Sequence, residues 1–190
     1  MILKLPSNDD GHFHSIEINL ITEGGWVLDA GCRGFCFSNR IAAVGCNVIA
    51  LDPSRDICDP PNPKIKFYRM ALYGTRGLQR FVTEPNPSTN HIAEHDPDSE
   101  NSRQVWCTTI EWLMENHVVQ IFDAVKLDIE GAEYSVLKNW PGPVAHQISV
   151  EWHAHYKDTL AQSMKESMEH VSKWYDLKKF NHDDTLLVLR

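Results

Sequence analysis

The sequence predicts an α/β protein with a mainly parallel sheet, closed at its C-terminal end by an antiparallel hairpin. Three observations carry this. Short apolar runs of strand length recur at 26–28, 47–51, 122–127 and 147–152, and acids cluster where they end. Helix-length segments lie between them, so consecutive strands should run parallel through right-handed crossovers. The chain closes with two short stretches, 177–180 and the apolar 185–189, flanking the polar turn 181–184, the pattern of a hairpin.

With 190 residues, 42% hydrophobic and 23% charged, the chain has the make-up of a single soluble domain, 1–190, with a full core. A net charge of −8 without a Lys/Arg cluster argues against a duplex nucleic-acid surface, which needs concentrated positive charge. No apolar run is long enough to cross a bilayer, and the N-terminus lacks the apolar core of a secretory leader. The five cysteines form no Cys-x-x-Cys pair. A cytoplasmic location is therefore expected, with no disulfide scaffold or zinc cluster.

Taken in order, Ile16, Ile18, Leu20 and Ile21 fit a strand or a helix equally, and Gly24-Gly25 ends the segment. The run 26–28 is a strand buried on both faces. Residues 37–44 form a helix stopped by Gly45, and 47–51 a second strand. After the rigid Pro60-Pro61-Asn62-Pro63, residues 64–72 alternate as a third strand and 78–82 as a further short one. Segment 83–104 is polar and proline-containing, so it is either a lid over a site or a disordered insertion. Thr108-x-x-Glu111 opens a helix as a capping box. Strand 122–127 precedes a helix over 132–140, and strand 147–152 follows. A last helix opens at Thr159-x-x-Gln162, with Leu160, Met164, Met168, Val171 and Tyr175 as its core face. Trp106, Trp112, Trp140 and Trp174 read as core or partly buried anchors, and Trp152 as core.

The stretch 26–54 is a strand–turn–helix–strand unit able to cradle a nucleoside cofactor, with backbone N–H groups at the turn and a carboxylate for the ribose. Ala30-Gly31-Cys32-Arg33-Gly34 lacks the first glycine of a dinucleotide fingerprint, and Asp29 stands where a pyrophosphate would approach. A negative charge there is harmless to the sulfonium and amine of S-adenosylmethionine. Asp52 follows Gly31 by 21 residues, close to the ~20 expected of a ribose-binding acid. These features favour S-adenosylmethionine over NAD.

Two motifs then resemble a known family. Asp29-Ala30-Gly31-Cys32-Arg33-Gly34 is similar to the first motif of class I S-adenosylmethionine-dependent methyltransferases. The run Val125-Lys126-Leu127-Asp128-Ile129-Glu130-Gly131-Ala132-Glu133, followed by Val136-Leu137, resembles the FkbM-type signature. Met70-Ala71-Leu72 and the strand ending in Glu151 and His153 are also similar to that family, over roughly 20–155. The chain departs from it at Cys32-Arg33, and at Asp52-Pro53 where Glu-Pro is common. The resemblance implies a Rossmann-like three-layer sandwich with a seven-stranded sheet. It places Asp29, Gly31, Gly34 and Ser38 around the methionine moiety, with Cys32 and Arg33 in the same turn. Asp52 and Pro53 would lie at the ribose, and Ala71 and Leu72 at the adenine.

Family members mostly methylate hydroxyl oxygens of small molecules or sugars, and an alcohol needs a general base or a divalent metal to react. Asp128, Glu130, Glu151 and His153 are the catalytic candidates, and Asp128, Glu151 and His153 suit Mg²⁺ as well. Glu130 reads equally as a helix cap, Glu133 as a solvated or capping acid, and His155 as surface. The expectation is an O-methyltransferase acting on a small molecule or sugar. An NAD(P)-dependent oxidoreductase and a non-catalytic cofactor-binding module are the alternatives.

Overall fold

The computed structural model describes residues 1–7, 12–92, 100–153, 160–181 and 184–190. Part of segment 83–104, together with His155, Thr159 and residues 182 and 183 of the expected turn, lies outside these residues. The N-terminus forms an antiparallel ribbon, β1 (Ile2–Pro6) and β2 (Phe13–Glu17), followed by a 3₁₀ turn at Ile18–Leu20. The segment with two equal readings is thus the end of a strand and a turn.

Strands β3 (Trp26–Ala30) and β4 (Asn47–Leu51) flank helix α1 (Cys36–Ala43), and β5 (Ile65–Tyr68) follows. Gly45 at φ 97° ends α1 in the left-handed region that its lack of a side chain permits. The expected strand 64–72 is divided. Arg69 turns aside to donate to the carbonyls of Ser54 and Ile57 at 2.8 and 2.9 Å. Beyond that bend, β6 (Ala71–Leu72) joins a second sheet with β7 (Gly77–Val82), β8 (His91–Ile92) and β9 (Ser102–Thr108), in the order β6-β9-β7-β8.

Strand β9 was hidden in the polar segment. Its inward residues, Val105 and Cys107, alternate with polar neighbours and with Trp106, which is 63% exposed rather than an anchor. Because Thr108 closes β9, the expected capping box does not form. Helix α2 (Ile110–His117) starts from Thr109, with no side-chain cap.

Strands β10 (Ala124–Leu127) and β11 (Gln147–Val150) enclose helix α3 (Glu133–Lys138). Helix α4 (Leu160–Val171) leads to the hairpin of β12 (Tyr175–Lys179) and β13 (Thr185–Leu189). The main sheet has seven strands in the order β12-β13-β11-β10-β3-β4-β5. It is mixed, since β13 runs antiparallel to both of its neighbours while the pairs from β11 to β5 are parallel.

Alternating side chains of the central strands feed two cores. Leu28, Ile49, Val125 and Ile148 pack with Leu113, Leu137, Trp140 and Val171 from the helices α2–α4 and the loop after α3. Val27, Val48 and Ala124 pack on the opposite face with Phe37 and Ile41 of α1 and Ile16 of the ribbon. Met164, Met168 and Val171 join the first core, as the helical stripe implied; Tyr175 joins it too, but from the start of β12, because α4 ends at Val171. Trp112 and Trp174 are partly buried against that core, whereas Trp140 and Trp152 lie within it. Among the described residues, no helix is long and apolar enough to cross a membrane.

Polar bonds hold the ribbon to β11 and the hairpin. Gln147 Oε1 accepts the Glu17 N–H at 2.7 Å, and Gln147 Nε2 donates to the Glu17 carbonyl at 3.1 Å. Asp184 accepts from Ser15 N and Oγ, at 2.7 Å each, and pairs with Lys179. Burial alone would raise the Asp184 pKa, but Lys179 and Ser15 hold it below the usual carboxylate range. Its stabilisation is therefore complete at neutral pH and is lost as pH falls through the folded-state pKa. Asp184→Asn should cost about 1–2 kcal/mol at pH 7, read as a lower melting temperature. The gap from the parent should close on acidification; a gap that persists in strong acid would place the stabilisation elsewhere.

Candidate active site

The tips of β3, β4, β10 and β11 open onto a cleft of about 360 Å³, a volume suited to a small ligand. Its organising group is Lys126. Lys126 and Asp29 are register partners on adjacent parallel strands, and both are fully buried. The ammonium lies 3.0 Å from Asp29 Oδ1 and 3.4 Å from Asp128 Oδ2, and donates to the Gly31 carbonyl at 2.7 Å. Burial alone would lower the Lys126 pKa, yet Asp29 and Asp128 raise it above the ordinary lysine value.

Gly31 has φ 79°, and a Cβ there would stand 1.7 Å from the Asp128 carbonyl oxygen. Glycine is therefore required where the two strand tips meet. The Gly31 and Cys32 N–H groups both donate to the Leu51 carbonyl, at 2.9 and 3.2 Å. These two donors, expected to face a cofactor, are spent inside the fold. Asp29 also accepts from Ser38 Oγ at 2.6 Å, and its charge is balanced by Lys126. Any repulsion of a pyrophosphate must come from the carboxylates at the β10 and β11 tips instead.

The cleft is lined at one end by Leu51, Asp52, Pro53, Ala71 and Leu72, with Gly31 and Arg33 beside them. Asp52 is mostly buried; burial raises its pKa, opposed by the Ser54 N–H that donates to Oδ1 at 2.8 Å. Asn86, Pro87, Thr89, Asn90 and Ile92, from the described part of segment 83–104, line the same cleft. Asp29, Cys32 and Ser38 stand fully buried behind the turn. Gly34, at φ 76° ahead of α1, is not part of the lining.

At the other end the lining includes Asp128, Glu130, Glu151 and His153. Glu133, read as a solvated or capping acid, is fully buried. It accepts the N–H groups of Ile129 at 2.8 Å and Gly131 at 2.9 Å, so it caps the turn after β10 from inside. His153 Nδ1 donates to Glu133 Oε1 at 2.9 Å. His153 Nε2 lies 3.4 Å from Glu130 Oε1, 3.8 Å from Asp128 Oδ1 and 3.8 Å from Glu151 Oε1. Glu130, at φ 52°, has a left-handed backbone uncommon for a side-chain-bearing residue.

The electrostatics separate these groups. Burial opposes charge on His153, but Glu133 and Glu130 raise its pKa well above the ordinary value. Burial would also raise Asp128, which Lys126, His14 and His153 instead hold well below the usual range. Glu151 is pushed up to about 7 by burial and by the Asp128 charge.

The ribbon supplies three residues that the sequence reading missed. Ser7 donates its hydroxyl to Asp128 Oδ2, and His12 Nδ1 lies 2.8 Å from Glu151 Oε1. His14 Nε2 faces Asp128 and Glu151 at 3.6 and 3.9 Å. Their signal was the two-residue spacing of His12, His14 and Ile16, which places His14 and Ile16 on one face of a strand. Two trios have ligand atoms close enough to share a cation: His14, Asp128 and Glu151, and Asp128, Glu130 and His153. The trio expected from sequence is thus divided between them.

Lys126→Met would strand Asp29 and Asp128 in the interior and should cost about 3–5 kcal/mol, read by urea unfolding. A loss under 1 kcal/mol, on the order of an exposed pair, would contradict the role given to this ammonium. A family model described as Methyltransferase FkbM domain matches residues 31–182, most of the chain and most of the site. No curated protein and no solved structure matches it. With the Lys126–Glu133 turn and the strand-tip cleft inside the matched span, the chain belongs to the FkbM methyltransferase family.

Proposed function

We propose that the protein transfers the methyl group of S-adenosylmethionine to a hydroxyl oxygen of a small molecule or sugar. The observation that carries this reading is a single cleft with two unlike ends. One end has a buried carboxylate, Asp52, beside the apolar Ala71 and Leu72, suited to a ribose and an adenine. The other has Asp128, Glu130, Glu151 and His153. The inward-turned N–H groups of Gly31 and Cys32 leave less for a pyrophosphate to bind, which favours a sulfonium cofactor over a dinucleotide. Six of the seven main-sheet strands run the same way, with β13 opposed; helices on both faces fit a Rossmann-like three-layer sandwich. The cysteines, all free, fit a cytoplasmic setting.

S-adenosylmethionine supplies an electrophilic methyl group on sulfur. The chain's task is then mainly positioning, which alone can be worth about 7–11 kcal/mol of barrier. As the new O–CH₃ bond forms and the C–S bond breaks, S-adenosylhomocysteine leaves. The hydroxyl proton passes to the carboxylate–histidine end. The 86–92 segment covers the cleft as an acceptor-side lid and excludes water.

Calorimetry with S-adenosylhomocysteine should show saturable one-to-one binding, weakened about tenfold in Asp52→Asn by loss of a charge-assisted bond. No signal, alongside clear binding of NADH, would overturn the cofactor assignment. With a turned-over acceptor in hand, Glu151→Gln and His153→Asn should each lower kcat by about 100-fold or more while leaving S-adenosylhomocysteine affinity unchanged. Asparagine retains an N–H for Glu133. Full rates in both variants would move the chemistry away from this end of the cleft.

A further inference from the structure

We propose that the protein holds a divalent transition-metal ion beneath the carboxylate end of the cleft, bound by His14 Nε2, Asp128 Oδ2 and Glu151 Oε2. His14 has no solvent exposure. Its Nδ1 is 3.0 Å from Ser149 Oγ, while Nε2 is buried without a hydrogen-bond partner. Glu151 Oε2 is also buried and unpartnered, because its other oxygen is the one engaged by His12. These two orphaned atoms face each other at 3.9 Å, with Asp128 Oδ2 at 3.6 Å from the imidazole nitrogen. Buried polar atoms are rarely left unsatisfied. A cation between the three atoms satisfies both.

The spacing is nearly that of a coordination sphere. Ligand atoms ~2.0–2.2 Å from a metal in tetrahedral array stand roughly 3.4 Å apart; the imidazole nitrogen is 3.6 and 3.9 Å from the two carboxylates, and all three groups offer ligand atoms within 4.8 Å of one another. Charge points the same way. Asp128 and Glu151 bring two carboxylates to the imidazole; Lys126 pairs with Asp29 and Asp128, and His153 with Glu130, Glu133 and Glu151. Two of the ligands are braced through their other polar atom, Ser149 at His14 Nδ1 and His12 at Glu151 Oε1. The third, Asp128 Oδ2, already accepts from the Ser7 hydroxyl and lies 3.4 Å from the Lys126 ammonium, so it would take the ion on a remaining lone pair. Such outer partners orient ligands and are worth 10–100-fold in affinity.

One imidazole with two carboxylates suits Mn²⁺, Fe²⁺, Co²⁺ or Zn²⁺. It does not suit Ca²⁺, which takes six to eight oxygens, and the nitrogen donor shifts preference away from Mg²⁺, which the carboxylates alone would suit. Asp128 and Glu151 also line the cleft, which puts the ion at its edge. Granting the methyl-transfer reading, a hydroxyl bound there would lose its proton more readily.

Full-length protein stripped by chelator is titrated with Co²⁺, without cofactor or acceptor. The expected result is one Co²⁺ per chain with visible d–d absorption, displaced by Zn²⁺ or Mn²⁺ and not by equimolar Mg²⁺. His14→Asn keeps a donor for Ser149 but lacks the Nε2 ligand. Glu151→Gln removes the second ligand's charge. Each should weaken Co²⁺ binding by at least about tenfold, with melting curves confirming the fold; if His14→Asn does not fold, Glu151→Gln decides. Absence of stoichiometric binding of Co²⁺, Mn²⁺ and Zn²⁺ to the parent overturns the proposal, as does unchanged affinity in the folded variants. Failure here leaves S-adenosylhomocysteine binding intact, and failure of that binding leaves the metal titration intact.

Discussion

The Lys126 ammonium has no access to water, and burying an unpaired charge would cost several kcal/mol. Asp29 on the neighbouring strand and Asp128 just beyond the end of its own strand offset that cost, and the Gly31 carbonyl accepts a further hydrogen bond from it. One cation thus ties together the β3 tip, the β10 tip and the glycine turn. The turn can approach so closely only because residue 31 has no side chain. Everything at the mouth of the sheet inherits its position from this knot. Asp29 is consumed by it, which is why an acid at the first strand tip belongs to the scaffold rather than to the surface of the cleft.

A second layer is built on the first. Glu133 reaches back from α3 to hold the Ile129 and Gly131 amides, and the same carboxylate orients His153. The turn between β10 and α3 is therefore rigid at its backbone and acidic at its rim. Its partner is the N-terminal ribbon, which lies across β11 and β13 through Gln147, Ser15 and Asp184 and delivers Ser7, His12 and His14 to Asp128 and Glu151. The ribbon is held to the sheet by polar bonds as well as by Ile16. Its docking and the electrostatics of the site are consequently the same interaction.

Much of this was legible in the residues. The strands Asn47–Leu51 and Thr185–Leu189 carry unbroken apolar runs that admit few other readings, and Gly45 marks a helix end by its conformation alone. Asp128, Glu130, Glu151 and His153 could be grouped beforehand because strand tips in such a sheet share one edge. Strand β9 was not legible, since its polar start merges with segment 83–104 and its Trp106 points outward. Nor was the bend at Arg69 that sends Ala71 and Leu72 into a second sheet, because it depends on carbonyls twelve and fifteen residues away.

The sequence by itself determined the central strands of the main sheet and the helices between them, the order of acids along the chain and the FkbM signature. Apolar periodicity, glycine conformation and contiguous motifs are local properties, written within a few residues of where they act. Only the tertiary structure decided what each acid does. It buried Asp29 against Lys126, turned Glu133 inward as a cap, and brought His14 to Asp128 and Glu151 from the far end of the chain. A carboxylate's role depends on its counter-charge and its access to water, and both come from residues distant in sequence.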